Sequence, residues 1–302
     1  MSFALLFSGQ GTQHPAMLPW LADDEFVRDM RARLGVDDWR AALADPAWAE
    51  RNDNAQTLLT GLALAAWNQL APMVPAPDAI AGYSVGELAA FSAAGVIEPA
   101  TAATLAAQRA GAMDRCAAHA PGGLLAVSGL SEPRLAQLLA ETGLAIAIRN
   151  GLQSVVLGGP KAALDDAERT ALAAGAQCTR LRVGVASHTP WMREAAERFA
   201  QTLAGVPFQA PRVLLFSNAQ DRIRDAASAR TALAAQIATT VRWDECMENV
   251  MARQVDCVLE LGPGQALARM WNQRYPGVPA RACDDFRSAA AIATWLNSRQ
   301  QN

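Results

Sequence analysis

Lysine is almost absent from this chain of 302 residues: Lys161 is the only one. That excludes a P-loop lysine, and a Schiff base could form only at position 161. Histidine is nearly as scarce. His14, His119 and His188 are the only three, so any imidazole base is one of them. The five cysteines (Cys116, Cys178, Cys246, Cys257 and Cys283) are odd in number, scattered and never in C-x-x-C spacing. This argues against a disulfide framework or a zinc site and for a reducing compartment. No uncharged apolar run reaches membrane-spanning length. The early run FALLF has five residues with no basic residue before it, and is not expected to be a signal peptide. A net charge of −3 offers no basic surface for nucleic acid or an anionic membrane. The expectation is a cytoplasmic protein that binds neither.

Apolar material, by contrast, is ample. At 51% hydrophobic and 18% charged, the chain can build the core of one large domain, or of one plus a small insert. Strand patterns alternate with helical ones: FALLFSG, helices over 24–34 and 54–70, the short buried run PDAIAGY, then SVGELAAFSAAG opening a helix. A further helix follows Pro99. This order predicts a parallel, doubly wound α/β sheet. Between 121 and 184 the rhythm changes to strand GLLAVSG, helix SEPRLAQLLAETG, strands LAIAIRN and SVVLGGP, helix KAALDDAERTALAAGA and strand CTRLRVG. That βαββαβ order is ferredoxin-like. The expected division is a large domain of residues 1–120 and 185–302 with a small subdomain, 121–184, inserted. Beyond it come a helix after Thr189-Pro190, the strand RVLLFSN, and VDCVLELG before GPGQALARMW.

AGYSVGELAAF carries G-x-S-x-G between a strand and a helix, the signature of a strained turn that lifts a serine hydroxyl to where a helix N-terminus points. Ser84 with Glu87 also fits an S-x-x-E capping box, so a capping serine is the alternative. A nucleophilic serine needs a base. His188, in VGVASHTPWM, is placed where a strand ends and a helix begins, and strand ends of open α/β sheets face the ligand crevice. His119 sits at a helix end and His14 in the first loop, and position favours His188. FSGQGTQ is not a dinucleotide fingerprint, because His14 stands where its third glycine would be. Its two glycines allow close approach to a substrate that the Gln10 amide could bond, or they form a plain turn. Arg109, among small neighbours in TLAAQRAGAM, pairs with a specific anion or with a structural acid.

Together these pieces resemble the malonyl-CoA:acyl carrier protein transacylases over nearly the whole chain. FSGQGTQ matches the family's opening loop and GYSVGE its serine elbow; RAGAM carries its arginine, ASHTPWM its Ser-His motif and ELGPG its late E-x-G-P-G segment. The resemblance implies a large parallel-sheet, α/β hydrolase-like core with an inserted ferredoxin-like subdomain. It implies malonyl transfer from malonyl-CoA, a substrate, to an acyl carrier protein, with no cofactor and no metal. Carried over, Ser84 is the acylated nucleophile and His188 its base. Gln10 and the Val85 N–H serve the oxyanion, Arg109 holds the malonyl carboxylate, and the Gln236 carbonyl orients His188. Asn150 and Gln56 lie near the pocket. The main departure is Tyr83, where most of the family has histidine. With GQGTQHPAML it looks most like the transacylase (epsilon) subunit of malonate decarboxylases, which charges that enzyme's own carrier; the same transfer for fatty-acid or polyketide synthesis is the alternative. A serine hydrolase and a non-catalytic carrier-docking module are the rival readings. Arg115, Arg149 and Arg212 are loose candidates for contacting an acidic carrier, against the default of solvated surface arginines.

Overall fold

A computed structural model describes residues 2–298. Its strands, in chain order, are β1 (Phe3–Phe7), β2 (Ala79–Gly82), β3 (Gly122–Ser128), β4 (Ala145–Gly151), β5 (Ser154–Pro160), β6 (Gln177–Arg180), β7 (Leu214–Phe216), β8 (Arg222–Ile223), β9 (Val241–Arg242), β10 (Cys257–Leu261) and β11 (Ala280–Ala282). Six of them form one sheet in the order β11-β10-β1-β2-β7-β8. All its pairings are parallel except the β7–β8 edge. The expected α/β fold is present.

β1 shows why these residues choose a parallel sheet. Every residue of FALLF is buried. Phe3, Leu5 and Phe7 join one apolar core while Ala4 and Leu6 join another on the opposite face, as a strand covered on both sides requires. The helix Asn52–Leu70 is buried for most of its length and packs against Glu25–Leu34 and Pro99–His119. Gln56 and Arg109, one from each of two of these helices, therefore face each other inside the protein.

The other five strands form a second sheet in the order β6-β3-β5-β4-β9. From β3 to β6 the chain runs strand, helix, strand, strand, helix, strand, the order read from sequence. β9 joins from outside that segment, parallel to β4, and leads into the helix Trp243–Met251.

The strand read through CTRLRVG stops at Arg180, and residues 181–189 are irregular, so His188 stands on a loop and not at a strand end. Leu181 still donates to the Leu124 carbonyl (3.1 Å), after which the backbone leaves the sheet, and the His188 N–H donates to the Ile237 carbonyl instead (2.8 Å). Leu181, Val183, Val185, Ser187 and His188 all line one cavity. Alternation that reads as a strand here serves a cavity wall. The helix expected after Pro190 begins with a 3-10 turn, Pro190–Met192, before the α-helix Arg193–Ala204.

Candidate active site

Ser84 lies between β2 and the helix Gly86–Ala93 with a φ of +55°. A left-handed backbone is strained for serine. The flanking glycines are dictated by crowding. A Cβ on Gly82 would sit 2.3 Å from the Gly86 carbonyl carbon, and one on Gly86 would sit 2.5 Å from the Phe7 carbonyl oxygen. Glycine at 82 lets the turn close against the start of its own helix, and glycine at 86 lets that helix pack onto β1. Ser84 Oγ is 2.7 Å from His188 Nε2. The capping alternative fails: Val85 is the N-cap residue and makes no side-chain cap, and Glu87 accepts from the Asn218 N–H (2.6 Å).

His188 is buried, also with positive φ (+62°). Its Nδ1 is 2.6 Å from the Gln236 carbonyl oxygen. A carbonyl only accepts, so Nδ1 carries the proton and Nε2 of the neutral ring is free to accept from the serine hydroxyl. Burial, then the nearby Arg109 charge, push His188 down to about 3, opposed by the Gln236 carbonyl.

Arg109 is 1% exposed on the helix Pro99–His119. Its Nη1 donates to Gln56 Oε1 (2.6 Å) and its Nη2 to Gln236 Oε1 (3.0 Å), while its Nε has no partner. Gln56 is held in turn by Asn52 (2.8 Å), and Asn52 donates to Asp114 (2.9 Å). Among the described residues no carboxylate forms an ion pair with Arg109, so the structural salt bridge is not found. Burial lowers it to about 10, and the Glu87 charge opposes this. Glu87, fully buried, is itself raised to about 7 by desolvation.

Ser84, His188, Arg109, Gln10, Gln56 and Asn150 all line one cavity of about 280 Å3. Gln10 Nε2 is buried with no partner, a donor left available. Val85 heads its helix, where first-turn N–H groups lack intrahelical acceptors. Asn150 Oδ1 accepts from the Tyr83 hydroxyl (3.2 Å), and the Tyr83 ring meets Trp243 edge-on at 5.2 Å. His14 is bonded to Asp284 (3.2 Å) and His119 is exposed; neither lines this cavity. Arg115 and Arg212 are exposed and Arg149 half-buried, all outside the cavity lining.

Sequence reading missed several partners. The Gln236 side chain donates to the Ser84 carbonyl (3.2 Å) as well as holding Arg109. Glu260 in ELGPG is buried, accepts from Ser8 Oγ and the Ala268 N–H (both 2.8 Å), and is raised to about 7 by burial. Asn218, at the end of RVLLFSN, contacts the serine turn. A polar residue just past a buried strand was the available signal for it.

The description "acyl transferase domain" matches residues 4–301. The chain is 32% identical to a malonyl CoA-acyl carrier protein transacylase of Salmonella typhimurium, over 97% of this chain and 99% of that protein. A solved acyl-carrier-protein S-malonyltransferase from Burkholderia pseudomallei superposes with a TM-score of 0.87 at 30% identity, over 97% of this chain and all of the other. A malonyl-transacylase solved with its type II PKS acyl-carrier protein superposes at 0.88 and 28% identity, over 99% of this chain and all of the other. This chain belongs to the acyl transferase family, among the malonyl-CoA:acyl carrier protein transacylases.

Proposed function

We propose that this protein moves a malonyl group from malonyl-CoA to the thiol of an acyl carrier protein through a malonyl ester on Ser84. The observation that carries this reading is a buried guanidinium held by neutral amide oxygens, in the same cavity as a serine–imidazole pair. Neutral partners fix its direction without spending its charge, which leaves it for an anionic acyl group.

In the first half-reaction Ser84 Oγ attacks the thioester carbon while His188 Nε2 takes its proton. The oxyanion of the tetrahedral intermediate is stabilised by Gln10 Nε2 and the Val85 N–H. The C–S bond then breaks, and His188 returns the proton to the departing CoA sulfur. The second half-reaction reverses these steps with the carrier thiol. Exchange of one thioester for another is near equilibrium, and a thiolate leaves readily, so a dyad oriented by the Gln236 carbonyl suffices. Gln56 orients Arg109. No cofactor is assigned.

Charge couples recognition to chemistry. Arg109 depresses the basicity of His188. A malonyl carboxylate on Arg109 offsets that cation, strengthening the base once the correct acyl group is seated. In the free enzyme His188 is neutral well below the usual histidine range. Its base function is therefore expected to persist as pH falls through 6.5, with loss only toward the lowered value of about 3. The pH profile of kcat/KM for acylation checks this: a protonation limb near 6.5 that disappears in His188→Ala would contradict it.

We further propose that residues 121–184 act as an inserted subdomain roofing the site, with 1–120 and 185–302 as the catalytic domain, in the cytoplasm. Leu124, Ala126, Ile148 and Val156 of the second sheet supply apolar lining to the cavity, which supports that role.

The finer reading is that the carrier is the small subunit of a malonate decarboxylase. Tyr83, seated between Asn150 and Trp243 where most of the family has histidine, supports it. Transfer for fatty-acid or polyketide synthesis is the second reading, favoured by the names of the similar proteins above. Competing a decarboxylase carrier, bearing its dephospho-CoA-type arm, against a phosphopantetheine carrier separates them. Preference for the first is expected; preference for the second overturns the finer reading and leaves the reaction. Product analysis tests the reaction itself, since malonylated carrier indicates transfer, free malonate a hydrolase, and no turnover a docking module.

A further inference from the structure

Asn218 follows β7, which pairs with β2 in parallel so that Ala81 faces Phe216. Its side chain spans the serine turn. Oδ1 accepts from the Ser84 N–H (2.8 Å) and Nδ2 donates to the Gly82 carbonyl (2.6 Å). Its own N–H donates to Glu87 Oε1 (2.6 Å), in the first turn of the helix that the elbow opens. Its carbonyl accepts from the Arg242 N–H (3.2 Å). Asn218 and Glu87 are both 0% exposed. One primary amide thus ties residues on both sides of Tyr83, and a buried carboxylate ties that amide's backbone to the following helix.

The turn needs such a clamp. Ser84 holds a left-handed backbone that serine does not favour, and strained residues persist only where the surroundings over-determine them. The strand's hydrogen bonding also ends here, leaving a donor at 84 and an acceptor at 82 that one amide satisfies together. A carboxylate at 218 would offer acceptors without the donor; a hydroxyl is too short to span both. Engaging the Ser84 N–H also keeps it out of any oxyanion site, leaving that task to Val85 and Gln10.

We infer that Asn218 is the positioning residue of the nucleophile: it acts through the Ser84 backbone, holding Oγ against His188, and touches neither substrate nor the reacting atoms. This rests on Ser84 being the nucleophile.

The test is single-turnover malonylation of Ser84, followed by mass of the active-site peptide, in Asn218→Ala and Asn218→Asp. Malonyl-CoA affinity is measured alongside, for each substitution in a Ser84→Ala background. Small displacements of a reacting group lower rates by about 100-fold, and that loss is expected for alanine, with Kd changed by less than about threefold. Aspartate keeps the acceptor for the Ser84 N–H but sets an oxygen against the Gly82 carbonyl, so a loss of the same order, about 100-fold, is expected. A generally loosened site would weaken rate and affinity together, and that result overturns the inference. So does a folded Asn218→Ala enzyme that acylates at the native rate. Should the alanine variant not fold, the aspartate variant decides by the same readings, and a native rate in it has the same meaning. Absence of malonyl-Ser84 in the unmodified protein would instead overturn the proposed reaction, which separates the two failures.

Discussion

Replacing Arg109 with alanine is expected to lower kcat/KM for malonyl transfer about 10⁴-fold, the scale on which sites built around a buried polar partner discriminate. Acetyl transfer, slow from the outset, should change about tenfold or less in the same variant. The asymmetry follows from the surroundings of the guanidinium. Gln56 and Gln236 are neutral, the Nε is unpartnered, and burial is nearly complete. Water cannot replace the missing counter-charge, so an acyl group without a carboxylate leaves that cation unpaired in the cavity. A malonyl group loses its partner when the arginine goes, and acetyl has none to lose. Arg109→Lys keeps the charge without the planar fork and should fall between the two. Steady-state kinetics with both acyl-CoA substrates check this, and equal losses for both would reduce Arg109 to a structural role.

On the proposed mechanism, Ser84→Ala carries the other large effect. Removing the nucleophile of a coupled serine–histidine pair lowers turnover on the order of 10⁶-fold. His188→Ala removes general-base assistance, worth about 10²–10⁴. The double variant should be little worse than Ser84→Ala alone, because the two residues act as one unit. Ser84→Ala stays folded, since Oγ is the only group removed and the Asn218 clamp engages the backbone. Carrier malonylation followed by mass spectrometry measures all three variants, with circular dichroism to verify folding. Additive losses would mean that serine and imidazole do not share a proton.

Much of this site is legible in the sequence. Gly82, Ser84 and Gly86 announce an elbow because the chain can turn that sharply onto a strand in few ways, and the packing on Phe7 shows why. Rarity made His188 conspicuous, although its loop imitated a strand: Leu181, Val183 and Val185 alternate toward a cavity and not toward a sheet face. The Gln236 carbonyl followed from spacing within a family pattern. Its side chain did not, because an amide at the end of a helix carries no local sign that it will meet an arginine 127 residues away. Asn218 shows in sequence only as a polar residue past a buried strand; its partners stay hidden, because its two side-chain bonds cross 134 and 136 residues. Periodicity reports what a segment does with its neighbours, whereas bonds between distant strand ends depend on sheet order. The short strands β8, β9 and β11, of two or three residues, lie below what alternation can signal.

The proposed reaction requires Ser84 to carry the malonyl group between donor and acceptor. Brief incubation with malonyl-CoA in the absence of carrier, followed by acid quench and peptide mass analysis, reads it directly. One malonyl group on the peptide containing Ser84, discharged when carrier thiol is added, is the predicted result. Malonyl found on another residue, or carrier charged with no covalent intermediate at all, would contradict it.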